Sequence, residues 1–172
     1  MKTDKSKIAT YCWITGQFLA YLDNKKDQAS LLLEEFLSET NNEIKTGDYV
    51  FFNPGTILML CYGLLVYPRG FWEEEKDIDY NTLDNYVLEL AGKKTLELFE
   101  TEESSEEDNN IKDLLRHLRN AVSHARVEIN HHDPYKFTFT DNGGFKTNIS
   151  GKNLASFLRG IGSYFVSLEQ RN

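Results

Sequence analysis

The sequence predicts a mainly α fold: a bundle of about five to six helices with a small antiparallel β hairpin or sheet before the C-terminal helix. Three observations lead there. Apolar residues recur at the +3/+4 spacing of a buried helical face over several long segments. Between about residues 126 and 149 the period switches to two, as in half-buried strands. From Ser150 the helical period returns, with Leu154, Leu158, Ile161, Phe165 and Leu168 on one stripe. At 172 residues and 40% hydrophobic, the chain is long enough for one sizeable core and short for two. A single domain over 1–172 is the expectation.

The elements follow in order. Ile8, Tyr11/Cys12, Thr15, Phe18/Leu19 and Leu22 mark a first helix. Leu32/Leu33, Phe36 and Leu37 mark a second, starting near Asp27 and fading by Asn41-Asn42. A third runs from Pro54 to about Tyr67, with Asn53 as cap and Pro54 in the first turn. A Pro68-Arg69-Gly70 break and Glu73-Glu74-Glu75 come next. Leu83, Tyr86/Val87 and Leu90 make a fourth helix, interrupted at Gly92 and possible to extend through Leu96 to Phe99. A fifth spans about Asn110 to Ala125. Val127/Ile129 and Tyr135/Phe137/Phe139 then alternate with polar residues around an Asp133-Pro134 turn. Asp141-Asn142-Gly143-Gly144 is a second turn, leading to a short strand from Phe145 to Ile149. Ser150 caps the last helix, about residues 150–170.

The formal net charge is −8, but it is unevenly spread. Residues 73–108 carry a net −11 and residues 109–172 a net +4. A stretch of about 100–110, with Glu102-Glu103-Ser104-Ser105-Glu106-Glu107-Asp108, reads as a solvated, mobile loop. An acidic shield that repels nucleic acid from other faces is the functional alternative. Around Lys112, Arg116, Arg119 and Arg126 the local field can still hold a phosphate. Cys12 and Cys61 lie far apart on apolar segments, which suits a reduced cytoplasmic protein. The lysine-rich start lacks a signal-type apolar run, and Ile57 to Tyr67 is too short to span a bilayer.

Several chemistries lack their residues. Gly143-Gly144 and Gly160-Ile161-Gly162 have the wrong neighbours for a phosphate loop. There is no His-Glu-x-x-His element, no Gly-x-Ser-x-Gly elbow and no Cys-x-x-Cys pair. His131-His132-Asp133 sits in a tight turn where adjacent ligands converge poorly, so no metal and no cofactor is expected. Tyr11, Trp13 and the sheet aromatics have the periods of core residues rather than of base-stacking platforms.

The remaining chemistry lies in Arg119-Asn120-Ala121-Val122-Ser123-His124. Leu115, Leu118, Val122 and Ala125 form the apolar face of that helix, which assigns Arg116, His117, Arg119, Asn120, Ser123 and His124 to its polar side. Arg119 and His124 are then separated by roughly 140° around the axis and ~7.5 Å along it. Either Arg119 curls over, or two copies of the helix face each other and pool their groups.

Arg119-Asn120-x-x-x-His124, with the leucines ahead of it, resembles the Arg-x4–6-His motif of the HEPN superfamily (higher eukaryotes and prokaryotes nucleotide-binding domain), in a bacterial ribonuclease-like branch. The resemblance implies a HEPN-like bundle and a metal-independent ribonuclease acting on RNA, in toxin or phage-defence roles. It also implies a homodimer with paired motifs, and an antitoxin or regulatory protein as a further partner. Arg119 takes the motif Arg, His124 the motif His and Asn120 the polar position beside the Arg. Arg116, His117, Arg126 and Lys112 stand by as substrate contacts, with His117 otherwise a bystander. HEPN toxins neutralised by a nucleotidyltransferase carry Tyr two residues after the His; Arg126 stands there instead, which speaks against that pairing.

The chemistry fits the residue types. A base takes the 2′-OH proton, an acid protonates the departing 5′ oxygen and a cation holds the pentavalent phosphate. Histidine serves either proton role near neutrality, and arginine is the charge stabiliser. Asn120 lies four residues before His124 and is placed to orient it or to donate to the phosphate. Two other readings stay open: a non-catalytic HEPN module that binds RNA or nucleotide or regulates a partner, and a protein-interaction domain using the acidic loop or last helix.

Overall fold

In the computed structural model, which describes residues 5–39, 52–68, 72, 78–103, 110–130 and 135–170, the helical stripes become six α-helices. These are α1 (Lys5–Asp23), α2 (Lys26–Glu39), α3 (Pro54–Cys61), α4 (Tyr80–Ala91), α5 (Ile111–Ser123) and α6 (Gly151–Glu169). Their ends follow local chemistry. Asn53 accepts from the Thr56 N–H at 3.1 Å with Pro54 in the first turn, and Ser150 accepts from the Asn153 N–H at 3.2 Å. Each satisfies a donor that has no partner within the helix. Gly92 ends α4 at φ 70°, the left-handed conformation that glycine adopts without penalty. Leu96 to Phe99 does not extend α4; Thr95–Leu98 is a short 3-10 turn.

The helix expected to end near Tyr67 changes its winding instead. Residues Tyr62–Val66 continue α3 as a π-turn, with the Tyr67 N–H bonded to the Tyr62 carbonyl at 2.9 Å. Gly63 lies in this turn, where any Cβ would strike the Cys12 side chain of α1.

Four antiparallel strands form one sheet in the order β1-β4-β3-β2: β1 (Glu100–Glu103), β2 (Val127–Asn130), β3 (Lys136–Thr140) and β4 (Lys146–Ser150). Phe137 pairs with Ile149 and Ile129, and Phe139 with Thr147 and Val127, so all six project from one face. The Phe137, Phe139, Thr147 and Ile149 side chains are fully covered there. The other face is polar, with the Thr138 hydroxyl donating to the Asn148 side chain at 2.6 Å.

β1 corrects one expectation. Glu100 to Glu103 reads in the sequence as the start of a loop, yet it is an edge strand on β4. Lys136 reaches Glu100 at 3.1 Å, while Lys146 and Asn148 both donate to Glu102 at 2.5 Å. Charge is compatible with an edge strand because only one side of the strand must pair. The rest of the acidic run, the Glu73-Glu74-Glu75 stretch, His131-His132-Asp133 and the Asp133-Pro134 turn lie outside the described residues.

Helix α6 runs through the middle of the core, packed most extensively on α4 and α1. Gly160 and Gly162 make this approach possible. A Cβ at Gly160 would lie 2.9 Å from the Val87 Cα, and one at Gly162 only 2.4 Å from the Trp13 ring. Leu154, Phe157, Leu158, Ile161 and Phe165 are fully buried, and Phe157 meets Phe99 edge-on at 5.1 Å. Among the described residues no helix is long and apolar enough to cross a membrane.

Candidate functional site

The motif helix α5 starts at Asn110, whose side chain accepts from the Asp113 N–H at 2.9 Å. One side of it packs on the π-turn after α3 and on β3. Leu115 and Leu118 are buried as expected, whereas Val122 is half-buried and Ala125 exposed. Leu114, Ala121, His117 (4% exposed) and Arg119 (8%) are buried as well. At 100° per residue the covered arc spans about 200°, with His117 at one edge and Arg119 at the other. The sequence places both on the exposed polar side. Packing on two flanks widens the buried face beyond the apolar residues. What stays accessible is Lys112, Arg116, part of Asn120, Ser123 and His124.

His117 is held from three directions. Its ring stacks on Phe145, with centroids 4.2 Å apart and planes within 7°. Nδ1 donates to Asp141 Oδ2 at 2.9 Å, and Nε2 faces the Arg116 guanidinium at 3.1 Å. With Nε2 accepting from that permanent donor, the proton belongs on Nδ1. This is the environment of a positioned core histidine, not of a side chain extended towards a phosphate.

Asp141, 9% exposed, is the hub that the sequence did not reveal. Its Oδ2 also accepts from the Asn120 amide at 3.0 Å, and its Oδ1 from the Asn142 N–H at 2.6 Å. Burial raises the carboxyl pKa; the hydrogen bonds from Asn120, His117 and the Asn142 backbone outweigh it, and the net shift is downward. Asp141 opens the Asp141-Asn142-Gly143-Gly144 turn, with Gly144 at φ 83°. The turn and the motif helix are thereby fastened together. Arg126 adds a second tie by donating to the Asn142 side chain.

His124 lies one residue past the last α-helical residue, at the C-cap, and is exposed. The chain then reverses. The Ala125 N–H bonds to the Val122 carbonyl at 3.2 Å and the Arg126 N–H to the Ala121 carbonyl at 2.8 Å. In this closing pattern the residue after the cap is left-handed and is usually glycine. Here it is Ala125 at φ 54°, at a cost of roughly 1 kcal/mol. The motif thus ends in a tight, strained turn that leads from His124 straight into β2.

Arg119 and His124 consequently occupy different environments: a covered guanidinium on the helix and an open imidazole at its end. Arg116 is exposed and ion-paired to Asp113 at 3.4 Å, and Lys112 is exposed on the same side. One cavity of about 430 Å³ lies between α1 and α6, lined by Trp13, Gln17, Asn24, Phe52 and Arg159 among others; no motif residue lines it. Cys12 and Cys61 are free. Burial pushes the Cys61 thiol up to about 12 and raises Cys12, so neither is an activated nucleophile. Among the described residues no group of three His, Cys, Asp or Glu is arranged to hold a metal ion.

Comparison with protein families adds the deciding observation. The family model described as HEPN pEK499 p136 matches residues 6–172. The chain belongs to this HEPN family. Comparison with curated proteins and with solved structures gives no match. The HEPN assignment covers nearly the whole chain, so α1, the sheet and α6 belong to the family domain together with the motif helix.

Proposed function

We propose that this HEPN domain is a metal-independent endoribonuclease that cleaves RNA by attack of the 2′-OH on the adjacent phosphate. The observation that carries the reading is His124, an open imidazole at the end of the Arg-x4-His helix in a HEPN-family chain. His124 exchanges the proton, either taking it from the 2′-OH or giving it to the departing 5′ oxygen. Arg119 stabilises the pentavalent phosphate from a largely covered position, where its charge is less screened and needs little reorganisation. Asn120, fixed by Asp141, presents the polar edge between them. Arg116, Lys112 and Arg126 draw the RNA backbone to this side. The products are a 2′,3′-cyclic phosphate and a 5′-hydroxyl, and DNA is spared because it lacks the nucleophile.

Toxin or phage-defence activity, a homodimeric state and an antitoxin or regulatory partner belong to the same proposal. A non-catalytic HEPN module that binds RNA is the second reading, favoured by the low exposure of Arg119. Incubation of total RNA with wild type and His124→Ala, with EDTA, separates them. Cleavage by wild type alone supports the enzyme; RNA binding without cleavage by either protein supports the module.

A further inference from the structure

The cavity of about 430 Å³ between α1 and α6 has the volume of a small-molecule site. Ala20 of α1 and Ala155 of α6 line it with side chains too small to fill it. Trp13, 4% exposed, lines it from within. Phe52 lines it as well, with its backbone N–H held by the Asp23 carboxylate at 2.7 Å. Gln17, Asn24 and Arg159 are exposed at the rim. A buried indole N–H normally finds an acceptor, as Trp72 does in the Leu64 carbonyl at 3.1 Å. Among the described residues no acceptor meets the Trp13 indole N–H, and no acid pairs with Arg159. The sealed side-chain atoms without a partner are the Thr10 and Thr95 hydroxyls. The Trp13 nitrogen is not one of them, so it opens on accessible space, and the cavity is the space that Trp13 lines.

We propose that this cavity binds a small organic anion with a flat, apolar body. Indole and guanidinium N–H groups donate and cannot accept, so the ligand must bring the acceptors. The protein offers none of its own carboxylates: the lining carries one cation and no Asp or Glu, in a chain whose net charge is −8. The two donors lie close together. A Cβ at Gly162 would touch the Trp13 ring at 2.4 Å, and Gly162 follows Arg159 by three residues, less than one turn and ~4.5 Å along α6. An arginine fork matches a carboxylate or a phosphate bidentately, and the indole N–H supplies a third donor. The rest of the lining selects the body. Trp13, Tyr21 and Phe52 offer ring faces and edges, and the Gln17 amide both donates and accepts for a polar substituent. A polyanion such as RNA needs a row of cations; one arginine selects a single anionic group. The cavity shares no residue with the motif helix, and the inference does not rest on the ribonuclease reading.

The indole N–H resonances of Trp13 and Trp72 in the isotope-labelled full chain test it, with naphthoate, naphthyl phosphate and neutral naphthamide as probes. At least one anion should move the Trp13 resonance saturably, with a Kd of about 1 mM or tighter. The Trp72 resonance should stay in place, because its proton is already bonded to Leu64. Whichever of the two anions binds more tightly shows whether the site takes a carboxylate or a phosphate ester. Naphthamide should bind at least ~10-fold more weakly than that anion. Arg159→Gln replaces an exposed side chain and should weaken the anion ~10–100-fold while leaving naphthamide unchanged. Ala155→Leu, which fills the cavity, should remove the response to all three. The proposal is overturned if neither anion gives a saturable shift, or if naphthamide binds as tightly as the anions; both results come from wild type and need no variant to fold. It is also overturned if both tryptophan resonances move alike, or if Arg159→Gln binds the anion as wild type does.

Discussion

His117 Nδ1 donates to Asp141 Oδ2 over 2.9 Å, joining the motif helix to a turn 24 residues further along the chain. The same carboxylate oxygen takes the Asn120 amide. One acid thus fixes a buried imidazole and the residue beside the motif arginine. The position of the candidate site depends on a residue outside the motif.

Asp141→Ala should cost about 2–3 kcal/mol, because it removes hydrogen bonds to a charged acceptor and strands the His117 donor in the interior. The pH dependence has a definite sign. The folded pKa of Asp141 lies below its ordinary value, so its contribution is full above the unfolded carboxylate pKa of about 3.9 and fades as pH falls through the folded one. In urea titrations, the gap between wild type and Asp141→Asn should be constant from pH 7 to about 5 and close towards pH 3. A gap that does not change with pH would show that the charge contributes nothing.

His124→Ala and Arg119→Ala should separate activity from stability. His124 is exposed, so its truncation should leave the midpoint within about 0.5 kcal/mol of wild type and slow RNA cleavage by ~10²–10⁴-fold. The sequence alone implies the same neutrality for Arg119. Its burial revises that: Arg119→Ala should lose about 1–3 kcal/mol through lost packing and unpartnered neighbours, as well as ~10²–10³-fold in rate. Equal thermal midpoints for the two variants would contradict the burial.

Ala125→Gly should stabilise the protein by about 0.5 kcal/mol, the relief of left-handed strain exceeding the entropy that glycine adds to the unfolded chain. Calorimetry reads this as a small rise in midpoint. A fall would mean that the turn is held without strain.

Gly160→Ala should cost about 2–3 kcal/mol, since the new methyl meets the Val87 backbone as well as its Cγ2, and the backbone cannot swing aside. Gly143→Ala, with nothing within 4 Å of its Cβ, is the control and should be nearly neutral. The two urea midpoints, measured together, show whether the α4–α6 approach is as close as the geometry states.

The sequence determined what depends on neighbours along the chain. Asn53, Asn110, Ser150 and Gly92 mark helix ends because a cap needs only a side chain or a left-handed residue within a few positions. The periods of 3.6 and two separated the helices from β2 to β4 for the same reason. Arg119-Asn120-x-x-x-His124 was legible as a motif. Its surroundings were not, because burial at the edges of a helical face depends on what packs beside it. Phe145 and Asp141 cover His117 from a turn that only the folded sheet brings near. Glu100 to Glu103 became a strand because β4 supplied a pairing edge 46 residues later, which acidic composition cannot announce. Helix α1 carries the same lesson in reverse. The sequence marks Ile8, Tyr11/Cys12, Thr15, Phe18/Leu19 and Leu22 as the apolar stripe of α1, but the tertiary structure puts Trp13 and Gly16 on the core side and leaves Tyr11, Ile14, Phe18 and Tyr21 outside. One apolar period cannot say which of two apolar faces the core will choose; the close fit of Trp13 against Gly162 chooses it.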